Sequence, residues 1–315
     1  MYQRDFNNFK EINMYRFKTI SEFHKYSNLP KPEHPLISLI DYSKVSYPLD
    51  SGEIKWVQDF YSIGLKKNVS RKFNYGQQKY DFDEGVLSFV APQQILSIEI
   101  NQNADASDAS GWLLLIHPDF IWNTSLANSI KKYDFFGYAV NEALFLSEKE
   151  ENIIEDIVKN VQREYKSNID KFSENIITAQ IELLLNYAER YYERQFITRK
   201  KSNHKVLEKL EENLNHYFNK ENTLFKGIPT VSRVAEDLNL SPNYLSSMLK
   251  AVSGQTTQQH IHNKVIEIAK EKLSTTELSI SEIAFELGFE HPTSFSKLFK
   301  SKTNISPLAF RQSFN

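Results

Sequence analysis

One stretch decides the fold of the C-terminal part of this chain: ISEIAFELGFEHPTSFSKLFK, at residues 280–300. It repeats the pattern of an earlier stretch, VSRVAEDLNLSPNYLSSMLK, at residues 231–250. The copies align at an offset of 49 residues up to Leu287 and at an offset of 50 from Phe295 onward, so one inserted turn residue separates the two registers. In each copy, apolar residues at i, i+3, i+4 and i+7 predict a helix, and a proline predicts the start of a second helix after a tight turn. The chain therefore carries a helix-turn-helix pattern twice.

The turns and helix starts use residues suited to those positions. Gly288 stands where the second copy turns sharply, which predicts a positive φ, and Asn239, the next most tolerant residue, replaces it in the first copy. Ser279 and Glu282 have the spacing of a capping box. Ser241 precedes Pro242 as an N-cap, and His291-Pro292 is expected to play the same part in the second copy.

The second helix of each copy has one apolar face, which predicts burial, and one polar face that stays free. The free side carries Asn243, Ser246, Ser247 and Lys250 in the first copy, and Thr293, Ser296, Lys297 and Lys300 in the second.

The segment from about Val206 to Phe314 resembles the DNA-binding domain of AraC/XylS-type transcription regulators, in which a long linker helix joins two helix-turn-helix units. It covers about a third of the chain. The matching residues are Ile283-Ala284-x-x-Leu287-Gly288-Phe289, Ser294-Phe295-Ser296-Lys297-x-Phe299-Lys300 and Ser306-Pro307-x-x-Phe310-Arg311. There are departures. Asn304 stands where the family usually has Gly, Lys264 where the linker helix often carries Arg, and Ser246 and Ser247 where many members place larger donors.

This resemblance implies binding of double-stranded DNA. The candidate contacts are Asn243, Ser246, Ser247, Lys250, Lys264, His291, Thr293, Ser296, Lys297 and Lys300. An apolar stripe predicts the linker helix over residues 257–273, and these 17 residues span about 25 Å. With half of each flanking unit added, the second helices of the two copies can lie about one turn of B-DNA apart, ~34 Å.

Charge does not by itself select DNA as the partner. Residues 206–315 contain 12 Lys or Arg and 12 Asp or Glu. The apolar stripes could be ordinary core, and Lys297, Lys300 and Lys302 an ordinary solvated face, in which case the fold would serve as a protein-interaction or adaptor module. The repeat with its matching caps and turns favours DNA binding. The modest local charge then implies few phosphate contacts and a need for a homodimer or a second ligand.

Composition limits the remaining possibilities. A chain of 315 residues with 40% hydrophobic content can bury two domains, and its net charge of -2 suggests no membrane or polyanion partner. It contains no cysteine, so disulfides and thiolate chemistry are excluded. The N-terminal MYQRDFNNFK lacks the apolar centre of a signal peptide, and no run of ~18 apolar residues occurs. We therefore expect a soluble, cytoplasmic protein.

The N-terminal part predicts strands rather than helices. Short apolar or alternating runs lie at residues 36–40, 60–65, 85–90, 95–100 and 111–116, separated by turn-forming residues. They predict a small antiparallel barrel or sandwich. In AraC-type regulators this domain is commonly a cupin-like barrel that binds a small-molecule effector, and residues 80–92 resemble a hairpin of such a barrel.

No enzymatic site is expected in this part. Metal-dependent cupins need clustered ligands, whereas His24, His34 and His117 are isolated in the sequence, so we expect no metal, cofactor or catalytic residue. Aromatic residues could instead line an effector pocket, with Arg71, Lys67 or Lys79 holding an anionic ligand; the alternative is plain core. The candidate ligand-binding residues are Trp56, Tyr61, Arg71, Tyr75, Tyr80 and Trp112.

Two helical patterns lie between these parts. Ser147 and Glu150 cap one, and Ser173 starts the other. In members of the family that this chain resembles, helices at this position commonly mediate dimerisation. The alternative is that they pack against the chain's own barrel. The predicted fold is therefore α+β and multidomain: a cupin-like sensor domain at 1–146, a helical dimerisation region at 147–195, a basic, solvated linker at 196–205, and an all-α DNA-binding domain at 206–315. The predicted function is an effector-modulated, sequence-specific transcription regulator, with RNA polymerase as a further expected partner.

Overall fold

The computed structural model describes residues 14–46, 52–67, 74–75, 78–79, 85–100, 110–139, 142–167, 172–218 and 227–314. The chain divides into two compact units, Met1–Tyr192 and Glu193–Asn315. The first unit is rich in β-sheet and the second is helical, so the mixed composition predicted from the sequence is confirmed at that level.

The strands of the first unit form two main sheets. One sheet has the order β1-β3-β8, the other has the order β10-β7-β4-β9-β2, and β5 and β6 form a separate two-stranded sheet. Within the described residues, β1 runs parallel to β3 and every other strand pair is antiparallel. The strands are β1 (Met14–Phe17), β2 (Ile37–Asp41), β3 (Gly52–Gln58), β4 (Tyr61–Lys67), β5 (Asn74–Tyr75), β6 (Gln78–Lys79), β7 (Val86–Val90), β8 (Ile95–Ile100), β9 (Ser110–Ile116) and β10 (Leu144–Phe145).

The five predicted runs coincide with β2, β4, β7, β8 and β9, whereas β1, β3, β5, β6 and β10 were not predicted. β1 is mostly exposed and β10 has two residues, so neither leaves a clear hydrophobic pattern in the sequence. The predicted hairpin begins at residues 80–84, which lie outside the described residues.

A hydrophobic core fills the space between the two main sheets. Leu115 and Val90 of the five-stranded sheet belong to the same buried cluster as Ile54 and Trp56 of the three-stranded sheet, together with Phe23 of helix α1 (Ile20–Tyr26). Because side chains alternate along a strand, the residues between these core positions face the other side of the five-stranded sheet.

Helices cover that second face of the five-stranded sheet. α2 (Leu126–Ser129) is short, and α3 (Glu148–Tyr165) and α4 (Ser173–Thr198) are long. The ring of Phe89 on β7 lies 4.4 Å from that of Phe135, which in turn stacks on Tyr192 of α4 at 5.5 Å. Tyr192 of α4 therefore belongs to an aromatic cluster on this face of the sheet.

The second unit is built from helices that continue from α4. They are α5 (Lys200–Phe218), α6 (Val231–Asp237), α7 (Pro242–Ser253), α8 (Thr257–Thr275), α9 (Ile280–Glu286), α10 (Pro292–Thr303) and α11 (Pro307–Gln312). No described helix of either unit combines the length and apolarity needed to cross a membrane.

The predicted solvated linker at 196–205 is corrected by the structure, because α4 and α5 run through it with a break only near Arg199. Phe196 is buried and its ring lies 5.2 Å from that of Tyr244. Asn203, also buried, donates a hydrogen bond from its side-chain amide to the Phe196 carbonyl at 2.5 Å. Burial and this bond hold the segment in helices despite its polar, basic composition.

The long helix α8 supplies one side of the core of the second unit. Its residues Val265, Ala269 and Leu273 cluster with residues of α9 and α10, among which Ala284 and Phe295 are fully buried. The apolar stripe that predicted the linker helix therefore contributes to this core, and α8 extends two residues beyond the predicted end.

Candidate nucleic-acid interface

The helix pairs α6–α7 and α9–α10, called the first and second pair, share one turn geometry. Asn239 has φ 56° and Gly288 has φ 87°, so both predicted positive φ angles are confirmed. The residue after each closes the turn in the same way: Leu240 N–H donates to the Ala235 carbonyl at 2.9 Å, and Phe289 N–H donates to Ala284 at 3.0 Å. The repeat in the sequence is therefore also a repeat in backbone structure.

The second helices of the two pairs, α7 and α10, are called the reading helices. Ser241 caps α7 by accepting a hydrogen bond from the Tyr244 N–H at 3.3 Å, as predicted. His291 occupies the N-cap of α10, but its side chain makes no capping hydrogen bond, so the expected equivalence is wrong at this point. Asn304 is the C-cap of α10, and its φ of 64° lies in the left-handed region that the usual glycine adopts.

The reading helix α10 presents most of its candidate residues to solvent. His291, Thr293, Lys297 and Lys300 are exposed, and Ser296 is half-buried. Neither Lys297 nor Lys300 forms an ion pair with any residue that the structure describes.

The candidate DNA contacts chosen from the sequence do not include Ser294 and Ser301, which are also exposed on α10. Their spacing from Lys297, three residues before and four after, places all three on one side of the helix. That spacing was the signal that could have identified them.

In the first reading helix, α7, the candidates divide into two groups. Asn243 and Lys250 are exposed, whereas Ser246 and Ser247 are half-buried. The hydroxyl of Ser246 lies 3.0 Å from that of Thr257, the first residue of α8. Ser246 is therefore engaged in packing between helices, which corrects its sequence-based placement on a free polar face.

Lys264 on α8 is also engaged within the chain. Its Nζ lies 2.8 Å from Glu267, and its side chain is only 20% exposed, against 68% for Glu267. A lysine whose charge is already paired neutralises a phosphate less effectively than an unpaired one, so Lys264 is a weaker phosphate candidate than Lys300.

The charge of the reading helices differs from that of the surrounding segment. α7 carries one lysine and α10 carries three, Lys297, Lys300 and Lys302, and neither helix contains an acidic residue. The overall balance of 12 cationic and 12 acidic residues in 206–315 therefore conceals two helices that carry positive charge only. Such a surface favours contact with a polyanion.

Two histidines on α8 lie beside these helices. Burial lowers the pKa of His260, although nearby Glu211 acts to raise it, and its Nε2 lies 2.8 Å from the Ser253 hydroxyl. Burial also lowers the pKa of His262, and the charge of Lys302 lowers it further. Both rings are therefore neutral at pH 7 and add no positive charge to the interface.

The effector candidates that the structure describes in the first unit do not all lie on one face of the sheet. Trp56 lies in the core between the sheets, whereas Tyr61 and Trp112 lie on the opposite face of the five-stranded sheet, where Tyr61 contacts Phe136 at 5.2 Å between ring centroids. Arg71 and Tyr80, and the side chain of Tyr75, lie outside the described residues. The three described aromatic side chains are buried core residues on two different faces.

Lys67, considered as a holder of an anionic ligand, is engaged by carboxylates instead. Its Nζ forms ion pairs with Glu151 and Glu155 of α3. Burial acts to lower the pKa of Lys67, but hydrogen bonding and the charge of these two carboxylates raise it overall. Lys67 thus fastens α3 to the end of β4.

The three histidines of the first unit that were weighed as metal ligands have local partners. His24 contacts the Pro30 carbonyl and the Ser38 hydroxyl, His34 accepts the Leu36 N–H, and His117 accepts the Asp119 N–H. Among the described residues, no three His, Asp or Glu side chains converge on a position suited to a metal ion.

Known proteins resemble the C-terminal segment. A family profile described as a helix-turn-helix domain matches residues 234–313. Over 97 residues, the chain is 32% identical to an uncharacterised HTH-type transcriptional regulator in the cgkA 5' region of Pseudoalteromonas carrageenovora, with 30% of this chain and 55% of that protein covered. Over 79 residues, it is 35% identical to the HTH-type transcriptional activator RhaS of Escherichia coli, with 25% of this chain and 28% of that protein covered.

The C-terminal domain of the two-component response regulator yesN from Fusobacterium nucleatum is 35% identical, with 32% of this chain and 96% of that chain covered and a TM-score of 0.28. The chain spans 55% and 28% of the length of the two curated relatives above, and the family profile covers residues 234–313. At that level the resemblance seen in the sequence is confirmed. This chain carries the helix-turn-helix domain of the AraC/XylS-type transcription regulators.

Proposed function

We propose that this protein is a sequence-specific DNA-binding transcription regulator. The two helix pairs act as helix-turn-helix units, joined by α8 as the linker helix, and place α7 and α10 in successive major grooves. One observation carries the proposal: two pairs with the same turn geometry each present a reading helix that bears positive charge only. α8 has 19 residues and spans about 28 Å, which suits a separation of one helical turn of B-DNA.

The side chains divide into base and phosphate contacts. Thr293 and Lys297 lie one turn apart on the exposed side of α10, and Lys297 has the reach to donate to guanine in the major groove. Asn243 is the corresponding candidate for adenine on α7. Lys250 and Lys300, nearer the C-terminal halves of their helices, contact phosphates, and Lys264 contributes less because Glu267 pairs with it.

The first unit senses a small molecule and holds two copies of the chain together in this proposal. Its sheets form a cupin-like barrel, and α3 and α4 form the dimer contact. The support for the contact is that these helices expose large apolar residues beside their packed faces: Ile153, Ile176 and Leu183 are 38%, 45% and 43% exposed. RNA polymerase is the further partner, and the protein catalyses no reaction.

Selection of binding sites from random DNA with the full chain tests the proposal. We expect an enriched sequence with two contacted segments, and we expect Lys297→Ala with Lys300→Ala to lose binding to it. Lys209→Ala is the matched control, because Lys209 is an exposed lysine of α5 outside both helix pairs. If no sequence is enriched while the protein remains folded, the adaptor alternative is favoured.

The sensing role needs its own test, because a ligand shifts an equilibrium only if it prefers one state. A screen of small molecules for a raised melting temperature identifies ligands, and operator affinity is then measured with and without each one. The full chain should respond, and the fragment 193–315 should bind the operator more weakly and without response. Equal operator affinity of fragment and full chain, with a monomer for both by sedimentation, would contradict the sensing and dimerisation roles.

A further inference from the structure

The two turns of the helix pairs differ in one residue, and the difference has a steric cause. Both turn residues have positive φ, yet the first is Asn239 and the second is Gly288. Asn tolerates this conformation, so the φ angle alone does not require glycine. A Cβ atom built on Gly288 would lie 2.6 Å from the carbonyl carbon of Gly227 and 2.9 Å from its Cα, distances that real Cβ atoms essentially never show.

Gly227 belongs to the segment that leads into the first pair. Thr230, three residues later, caps α6 by accepting a hydrogen bond from the Arg233 N–H at 3.2 Å. Ile228, next to Gly227, and Phe218, the last residue of α5, pack against the core cluster of the second pair. The backbone entering the first pair therefore touches the turn of the second pair.

A side chain of α5 holds this segment in place. The hydroxyl of Tyr217 donates a hydrogen bond to the Gly227 carbonyl at 2.9 Å. α5 itself packs against both helices of the first pair. The family profile matches residues 234–313, so Tyr217 and Gly227 both lie outside it.

We infer that Tyr217, Gly227 and Gly288 form a positioning contact that fixes the second helix pair relative to the first and so sets the spacing of the two segments that the reading helices contact on DNA. The spacing role rests on the proposed function. α8 connects the pairs through one continuous helix, and the glycine contact joins them at a second point away from that helix. Two points of attachment restrict the rotation of one pair about the other more than a single connecting helix would.

Gly288→Asn isolates the contact, because Asn is the residue that the first turn already tolerates. An Asn at this position keeps the positive φ and adds the colliding Cβ, so the two segments must separate by roughly 1 Å to reach ordinary contact distance. Gly254→Ala is the matched control. Gly254 also has positive φ, 75°, but a Cβ there meets no atom within 4 Å.

The arrangement of the pairs can be measured without DNA, because the chain contains no cysteine to interfere with site-specific labels. Nitroxide labels on Ser232→Cys in α6 and Ser301→Cys in α10, both exposed positions, report the distance between the pairs by double electron–electron resonance. We expect one narrow distance in the parent protein, a shifted or broadened distribution in Gly288→Asn, and a smaller broadening in Tyr217→Phe. Gly254→Ala should match the parent. A distribution in Gly288→Asn equal to that of the parent, or an equal shift in Gly254→Ala, would overturn the inference.

The consequence for DNA is tested on the sequence selected by the full chain, with one or two base pairs inserted between its contacted segments. The parent should bind the original spacing best. Gly288→Asn should bind it about tenfold more weakly and discriminate less against the inserted spacings. A Gly288→Asn protein with the parent's spacing profile contradicts the role on DNA. If the parent selects no DNA, the proposed function fails, and the label distances still decide whether the contact positions the pairs.

Discussion

The hydroxyl of Ser246, on the first reading helix, lies 3.0 Å from the hydroxyl of Thr257, which is fully buried at the start of α8. A side chain from the polar face of α7 thus satisfies a polar group in the interior, where an unpaired hydroxyl is costly. The relationship gives Ser246 a role in the contact between the two helices.

Removal of the Ser246 hydroxyl should lower the stability of the second unit. Ser246→Ala leaves Thr257 without this partner, so we expect the free energy of unfolding to fall by about 1–3 kcal/mol. Ser246→Ala combined with Thr257→Val should fall less, because both polar groups are then absent. Urea unfolding followed by circular dichroism measures this, and an additive double variant would show that the two hydroxyls do not interact.

Lys300→Ala should weaken binding to specific and nonspecific DNA to about the same degree. One phosphate contact contributes a slope of about 0.9 to the plot of log K against log salt, so the slope should become shallower by about that amount. Lys264→Ala should change it less, because Glu267 already pairs with that lysine. An unchanged slope for Lys300→Ala would show that Lys300 does not contact a phosphate.

Lys297→Ala should relax the preference for one base, at a cost of about 1–3 kcal/mol for the correct sequence. Ser247→Ala should relax preference less, since Ser247 is half-buried and shorter. Binding-site selection with each variant measures the information lost at every position. A larger loss of information for Ser247→Ala than for Lys297→Ala would show that the first pair makes the main base contacts.

Acid should destabilise the first unit partly through His24. Burial lowers the pKa of His24 from 6.5, although the Pro30 carbonyl, which accepts its Nδ1 proton, acts to raise the pKa. The unfolded chain therefore binds a proton more readily than the folded chain does. The contribution of His24 is fully present above pH 6.5 and is lost as the pH falls from 6.5 through its lower folded pKa.

Urea unfolding at several pH values measures this effect in His24→Gln and in the parent. The three tryptophans, at positions 56, 112 and 122, all lie in the first unit, so their fluorescence reports on that unit alone. We expect a shallower loss of stability below pH 6.5 in His24→Gln. His34→Gln is a useful comparison, because burial lowers the pKa of His34 as well, opposed by Glu174. Identical pH profiles of parent and His24→Gln would contradict the assignment.

Lys67→Met should loosen α3 from the five-stranded sheet. The variant leaves Glu151 and Glu155 partly buried without their cation, and we expect a loss of about 1–2 kcal/mol, since these groups retain some solvent. Glu155→Gln with Lys67 intact should lose less, because Glu151 still pairs with the lysine and accepts the Gly85 N–H at 3.1 Å. Tryptophan fluorescence in urea is again the measurement, and equal losses for both variants would argue against Lys67 as the centre of this contact.

The sequence by itself determined the local features of the second unit. The caps at Ser241 and Ser279, the positive φ at Asn239 and Gly288, and the apolar stripe of α8 all depend on interactions within a few residues. Such short-range preferences are visible as residue types at fixed spacings, and the doubled pattern made them mutually consistent. The strands β2, β4, β7, β8 and β9 were predictable for the same reason, since alternation is also a local pattern.

Only the tertiary structure decided which polar side chains remain free and which face each aromatic residue takes. Lys67 and Ser246 looked available in the sequence, but their partners in the fold come from α3 and from the start of α8. Trp56 and Trp112 looked alike, but strand register sends them to different faces. Gly288 requires glycine because Gly227 lies against it, 61 positions earlier in the chain. These outcomes depend on contacts between distant segments, whose positions local preference does not encode.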